Sequence, residues 1–342
     1  MNSHSDAIDM RQLALRQWLN DVGYTITALE PASADASFRR YFRITLDNAG
    51  TPDRSATLIA MDAPPDKEDS APFVRVAELM QALSVPVPTI HDRDLEQGFL
   101  VLDDLGSTDL LTALGATPEA RDALYSEAMH WLRTLQCASD LQARENPAYD
   151  EALLRREMAL FEEWLIGKHL KLPWSGDDQG NWRMVTDILV RNALSQPSTL
   201  VHRDFHSRNL MVRDDDSIAI IDFQDAMYGP YTYDLVSLLR DCYVALPPTD
   251  VRALAEDWLA LSPHGQGVDS TQRLRWFDLM GVQRHLKAAG IFARLAHRDN
   301  KWGYLPDIPR TVGYIIALRT HYPELEWLTT LLEERVLPEL AT

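Results

Sequence analysis

Cysteine is nearly missing from this chain: Cys137 and Cys242 are the only two among 342 residues. Each falls in an amphipathic helical pattern, so they read as two reduced core thiols, which argues against a disulfide framework or a cysteine metal site. No apolar run approaches the roughly 18 residues that a membrane-spanning helix needs. The opening MNSHSDAIDM lacks the basic start and apolar core of a secretory signal. The expectation is a cytoplasmic protein without a membrane partner. Positive charge is scarce too: 33 Lys and Arg against 51 Asp and Glu give 33 − 51 = −18. Such a field repels polyanions and argues against nucleic acid as a partner. A small anion such as ATP can still bind where Mg²⁺ and a few local basic groups offset the field. Internal repeats, low-complexity tracts and long linkers are absent, and nothing points to an obligate protein partner.

What is present suffices for two lobes sharing a cleft, given 342 residues of which 46% are hydrophobic. Leu15, Trp18, Leu19 and Val22 recur at helical spacing before Gly23, which predicts a first helix over 8–22. Strand-like runs at 24–29, 38–46 and 56–61 follow, separated by the turn-rich PASADAS and DNAGTPDRS. Ser70 and Pro72 open a helix bearing Phe73, Val76, Met80 and Leu83, and strands are predicted at 87–91 and 99–102. Beyond residue 103 the pattern turns helical, interrupted only by STLVH, NLMV and SIAIID between 198 and 222. The order predicts an α+β chain with a small antiparallel-sheet N-terminal lobe over 1–102, a connection at 103–106 and a larger, mostly helical lobe over 107–342.

The segment from Val201 to Leu210 reads H-x-D-x-x-x-x-N, and Asp222-Phe223-Gln224 closes the apolar run Ile218 to Ile221. Phosphoryl transfer needs an acceptor oxygen in line with the γ-phosphate, a carboxylate to take its proton, and metal ions to spread the developing charge. Asp204 can serve as that base. Asn209 offers an amide oxygen to Mg²⁺ and Asp222 a carboxylate oxygen, both of the hard kind this ion takes. His202, two residues before the base, reads as a structural residue that orients the loop. The pattern is short, and strand alternation also allows His202, Asp204 and His206 to be metal ligands of a hydrolase, although the loop wording fits a kinase better.

With these motifs the chain resembles the aminoglycoside phosphotransferase and choline kinase superfamily, whose fold is protein-kinase-like. The resemblance implies further roles. LVLDDLG at 100–106 looks like the hinge, where Leu102, Asp103 and Leu105 would hold adenine. Glu78 takes the place of the small-lobe helix glutamate, although alone it reads as a solvated residue. Asp234 looks like the aspartate that braces the catalytic loop, or else a helix cap. Two features depart from the pattern. The phosphate loop PASADASFRR has no glycine, so Ser33, Asp35 and Ser37 must shape the turn. Met61 stands where the phosphate-binding lysine belongs. Alternation puts Arg40 with Phe42 and Ile44 on one strand face and Arg39 with Arg43 on the other. If Phe42 and Ile44 roof the adenine, Arg40 replaces the lysine and pairs with Glu78.

Within the superfamily, ADASFRRYFR, LIAMDAPP, GIFARL and YLPDIPR resemble the anomeric kinases of N-acetylmuramate and N-acetylglucosamine. That likeness implies a small-molecule amino-sugar acceptor phosphorylated at C1 and a product feeding UDP-amino-sugar synthesis in peptidoglycan recycling. Two rivals stay open: an antibiotic phosphotransferase, which would prefer a cationic acceptor, and an inactive kinase-like binding module, suggested by Met61. Arg284, His285, Lys287, Arg294, Arg298 and Lys301 form a basic cluster that reads as a solvated helix side or as the partner of a lactyl carboxylate.

Overall fold

The computed structural model of the chain describes residues 9–34, 38–47, 56–115, 118–138 and 140–341. The chain divides into two compact units: Met1–Thr108 with Met211–Asp225, and Asp109–Leu210 with Ala226–Thr342.

The first unit opens on helix α1 (Met10–Asp21), capped by the Asp9 carboxylate, which accepts the backbone N–H groups of Arg11 and Gln12, each at 3.1 Å. Strands β1 (Ile26–Ala34), β2 (Arg40–Leu46), β3 (Thr57–Asp62), β4 (Ile90–Asp94) and β5 (Phe99–Asp103) form one antiparallel sheet in the order β1-β2-β3-β5-β4. Helix α2 (Ala71–Ala82) lies between β3 and β4 in sequence, with Phe73, Val76, Ala77 and Met80 buried. Strand β1 runs on through Pro31 into the segment expected to turn. It is an edge strand with an irregularity between Pro31 and Ser33, where proline is tolerated. Strand β4 starts at Ile90, later than expected, because Pro86 and Pro88 have no N–H for a ladder.

Side chains alternate across the sheet. Phe42, Ile44, Leu58, Ala60, Phe99 and Val101 form one cluster with Leu15, Trp18 and Leu19 of α1. Burying Phe42 and Ile44 there stabilises the unit by roughly 1.5–3 kcal/mol each. Arg40 pairs in register with Asp62 and shares that face. Phe42 and Ile44 are therefore core under α1, which removes the geometry that would make them a roof over adenine.

The second unit contains α3 (Leu110–Ala113), α4 (Pro118–Leu135), α5 (Asp140–Ala143) and α6 (Glu151–Leu160), then a π-helical segment, Phe161–Leu170, and α7 (Gly176–Leu194). Strand β6 (Ser198–Val201) leads into the loop with the motif. The hairpin β7 (Leu210–Val212) and β8 (Ile218–Ile220) comes next in sequence but belongs, from Met211 on, to the first unit; β9 (Met227–Pro230), not expected from the sequence, pairs with β6. Next come α8 (Tyr233–Leu239), α9 (Pro248–Leu261), the 30-residue α10 (Ser270–Asp299) and α11 (Ile308–Ile316). Helix α10 is the spine of this unit and packs against α6, α7, α8 and α11. At Gly290 it lies directly on the chain where α6 passes into the π-helical segment: a Cβ there would stand 2.4 Å from the Leu160 carbonyl carbon.

The cysteines meet the expectation of reduced core thiols only in part. Cys137 is exposed beyond the end of α4, and Cys242 is buried in the loop after α8; both are free thiols. Among the described residues no helix is long and apolar enough to cross a membrane.

Candidate active site

The loop after β6 is held from behind. Asp234, fully buried in the first turn of α8, accepts the backbone N–H of His202 at 2.6 Å and of Arg203 at 2.9 Å. Burial pushes its carboxyl up, and the two amide hydrogen bonds oppose that. This is the bracing role the sequence suggested. Arg203 has φ of 79°, a left-handed conformation that costs a non-glycine residue about 1–3 kcal/mol. Its guanidinium is tied to Glu157 of α6. Glu157, only 5% exposed, also accepts from the Tyr149 hydroxyl and lies 3.6 Å from the Lys287 ammonium of α10. Lys287 in turn donates to the Tyr233 hydroxyl at 3.1 Å. Farther along the loop, Asp241 accepts the N–H groups of Ser207 at 2.8 Å and Tyr243 at 2.7 Å.

Strain and bracing together present Asp204. Its N–H donates to His202 Nδ1 at 3.3 Å, and its carbonyl accepts from Asn209 Nδ2 at 2.9 Å. His202 thus orients the loop, as expected. Asp204 is half-buried and lines a cavity of about 90 Å³ with His206, Tyr233, Tyr243, Arg284 and Lys287. Burial works to raise the Asp204 carboxyl, but neighbouring positive charge outweighs it and holds the group well below the usual carboxylate range. His206 is itself pushed down to about 4 by burial, so near neutral pH it carries no charge. Lys287, Arg203 and Arg284 are then the cations that keep Asp204 ionised.

Asn209 spends its amide nitrogen on the Asp204 carbonyl, which fixes the orientation of its oxygen. Asp222, in the first unit, has φ of 64° and accepts from Gln224 Nε2 at 2.7 Å. The adjoining Phe223 packs on Phe73 of α2 with ring centroids 4.8 Å apart. An amide oxygen and a carboxylate, each held by a neighbour, are the hard donors that suit Mg²⁺. Among the described residues no group of three or more His, Cys, Asp and Glu side chains is arranged to hold a metal ion, so the set His202, Asp204 and His206 does not form the ligand cluster a hydrolase would need.

The other predicted residues fall as follows. Leu102 is buried in β5, paired to Ile59 and Ile90. The Asp103 carboxylate accepts the Thr89 N–H at 2.8 Å and meets His91 Nε2 at 2.7 Å; Leu105 is half-buried just past the strand. Ser33 lies in β1 with its side chain outside the described residues, and Asp35 and Ser37 lie outside them altogether. The expected pair of Arg40 with Glu78 does not form. Arg40 binds Asp9 and Asp62 on the α1 face, while Glu78 meets Arg93 at 2.8 Å, both side chains exposed. Met61 is buried on the opposite face. Arg39, at 3.1 Å from Glu68, and Arg43, at 2.6 Å from Asp104, take the alternation of that face. Sequence reasoning missed Glu157 and Asp241, which carry no local pattern, and placed Arg284 and Lys287 only within a broader basic cluster.

A small antiparallel sheet with one inserted helix, a helical unit, and a braced H-x-D-x-x-x-x-N loop define a protein-kinase-like phosphotransferase. The sequence matches the phosphotransferase enzyme family over residues 28–277, and the chain belongs to that family. It is 45% identical over 307 residues to the N-acetylmuramate/N-acetylglucosamine kinase of Pseudomonas aeruginosa, covering 89% of this chain and 87% of that one. The protein of the same name from Neisseria meningitidis is 42% identical, with 95% and 96% covered. Among solved structures, the choline kinase LicA from Streptococcus pneumoniae shares the fold with a TM-score of 0.61 at 12% identity, covering 90% of this chain and 99% of that one. The ADP-bound aminoglycoside phosphotransferase APH(2'')-Ib does so with a TM-score of 0.56 at 15% identity, covering 88% and 97%.

Proposed function

We propose that this phosphotransferase uses Mg-ATP to phosphorylate the C1 hydroxyl of N-acetylmuramate, N-acetylglucosamine or both, giving sugar 1-phosphates for UDP-amino-sugar synthesis in peptidoglycan recycling. The observation that carries the reading is Asp204: a carboxylate kept ionised by buried cations, on a doubly braced loop, at the wall of a cavity. The relatives' names supply the choice of acceptor.

In this mechanism Asp204 accepts the proton of the sugar hydroxyl as its oxygen attacks the γ-phosphate, and no covalent enzyme intermediate forms. Asn209 and Asp222 would hold Mg²⁺, which when bound supplies charge stabilisation on the phosphate oxygens. The backbone from Leu102 through Asp103 to Leu105 would hold adenine. The bracing of the loop by Asp234 and Glu157 fixes the base before substrate arrives, which lowers the reorganisation needed at the reacting centre.

An aminoglycoside acceptor is the second reading, but the cations Arg284 and Lys287 at the cavity disfavour a cationic ligand. The test is ADP release with Mg-ATP and, in turn, N-acetylmuramate, N-acetylglucosamine and an aminoglycoside, with the product position read by phosphorus NMR. A C1 phosphate on the acetylated sugars is the expected product. Turnover of the aminoglycoside alone would sink the proposal, and ATP binding without turnover of any acceptor would favour the inactive module.

A further inference from the structure

The cavity beside Asp204 contains a buried guanidinium that, among the described residues, no carboxylate meets directly. Arg284 of α10 is 5% exposed and lines that cavity. Among the described residues its only hydrogen bond is from Nη1 to Cys242 Sγ at 3.6 Å, a weak contact, and no carboxylate forms an ion pair with it. The other cations there are matched: Arg203 and Lys287 share Glu157. Asp241, the nearby carboxylate, already accepts two backbone N–H groups. Asp204 and Asp241 act on Arg284 only through space; a buried guanidinium with no anion in hydrogen-bond reach is costly, and a ligand carboxylate would supply that partner. The guanidinium's fork matches a carboxylate in two parallel hydrogen bonds. Ile291 and Phe292 add an apolar wall to the same cavity, suited to the carbon face of a sugar ring.

We propose that Arg284 binds a carboxylate on the acceptor sugar and thereby sets the preference for N-acetylmuramate over N-acetylglucosamine. The inference rests on the sugar-kinase reading of Asp204. The two sugars differ by the lactyl ether at O3, which carries the carboxylate; the hydroxyl that meets Asp204 is at C1 of the same ring. One cavity containing both Asp204 and Arg284 reads both ends.

The experiment measures kcat/KM for N-acetylmuramate, its neutral lactyl methyl ester and N-acetylglucosamine, with the wild type, Arg284→Gln and Arg284→Lys. A charge-assisted pair predicts that the wild type prefers the acid to its ester by about 30-fold, that Arg284→Gln abolishes the preference, and that Arg284→Lys restores part of it. Equal losses on all three substrates in Arg284→Gln would assign Arg284 to phosphoryl transfer or to the fold and overturn the inference. Equal handling of acid and ester by the wild type would overturn it without any variant. A wild type that turns over none of these substrates would bring down the sugar-kinase reading itself.

Discussion

Glu157→Gln is the sharpest perturbation of the second unit. Glu157 is the carboxylate shared by Arg203 and Lys287, and it is 5% exposed. Burial raises its carboxyl, but the two cations outweigh this and hold it below its ordinary range, so it is charged in the folded protein. Glutamine keeps the shape and can still accept from the Tyr149 hydroxyl, but leaves two buried cations without their anion. Breaking a buried pair from one side costs about 3–5 kcal/mol. With a urea slope of about 2–3 kcal/mol per molar, that is a fall of roughly 1.5 M in the midpoint. All tryptophans except Trp18 lie in the second unit, so their fluorescence follows it. The double variant Glu157→Gln with Lys287→Met removes one stranded cation and should recover part of the loss, a coupling of about 1 kcal/mol or more. A loss below about 1 kcal/mol in Glu157→Gln, or strict additivity of the two changes, would refute charge balance as the role of this network.

Other predictions rest on separate features. Gly290→Ala puts a Cβ 2.4 Å from the Leu160 carbonyl carbon; backbone cannot yield as a side chain does, so thermal unfolding should fall by several degrees, equivalent to about 2 kcal/mol or more. His285, 1% exposed, is pushed down to about 3 by burial from an ordinary 6.5. The unfolded chain therefore binds a proton that the folded one refuses between those values, and stability falls as pH drops through that window. From pH 7.5 to 5 the loss is about 2 kcal/mol, and His285→Gln should shrink the acid-induced fall in unfolding free energy, read from urea curves, by that amount. On the Met61 face by alternation, Arg39 directly precedes β2 and is the candidate for the missing lysine. Arg39→Ala should raise the ATP Kd about tenfold or more and Arg40→Ala by less than about twofold, with the reverse order refuting the assignment of faces.

What was legible in the sequence is what local pattern encodes. Period-two and period-3.6 spacing placed α1, β2, β3, α2 and β5 within a few residues, and the contiguous run from His202 to Asn209 announced the loop and the residue types on it. Relatives 42–45% identical bear out the family resemblance read from ADASFRRYFR, LIAMDAPP and the later segments. Alternation groups Arg40 with Phe42 and Ile44, but it cannot say which face a distant helix will cover; α1 covers theirs. The partners of Glu78 and Arg40 were equally out of reach, because Asp62 meets Arg40 only through the pairing of β2 with β3 and Arg93 of β4 meets Glu78 only where α2 comes to that strand. Glu157 and Lys287 stand 130 residues apart with nothing local to join them. The same holds for Arg284, which is joined to Asp204 only through the cavity both of them line.

Asp204→Asn removes the carboxylate proposed as the base of the sugar kinase. With Mg-ATP and whichever acetylated amino sugar the wild type prefers, kcat should fall by about 100- to 10,000-fold, as expected for loss of a general base, while the Kd for ATP stays within about threefold. Retention of kcat within tenfold of wild type in a variant that melts normally would contradict the account.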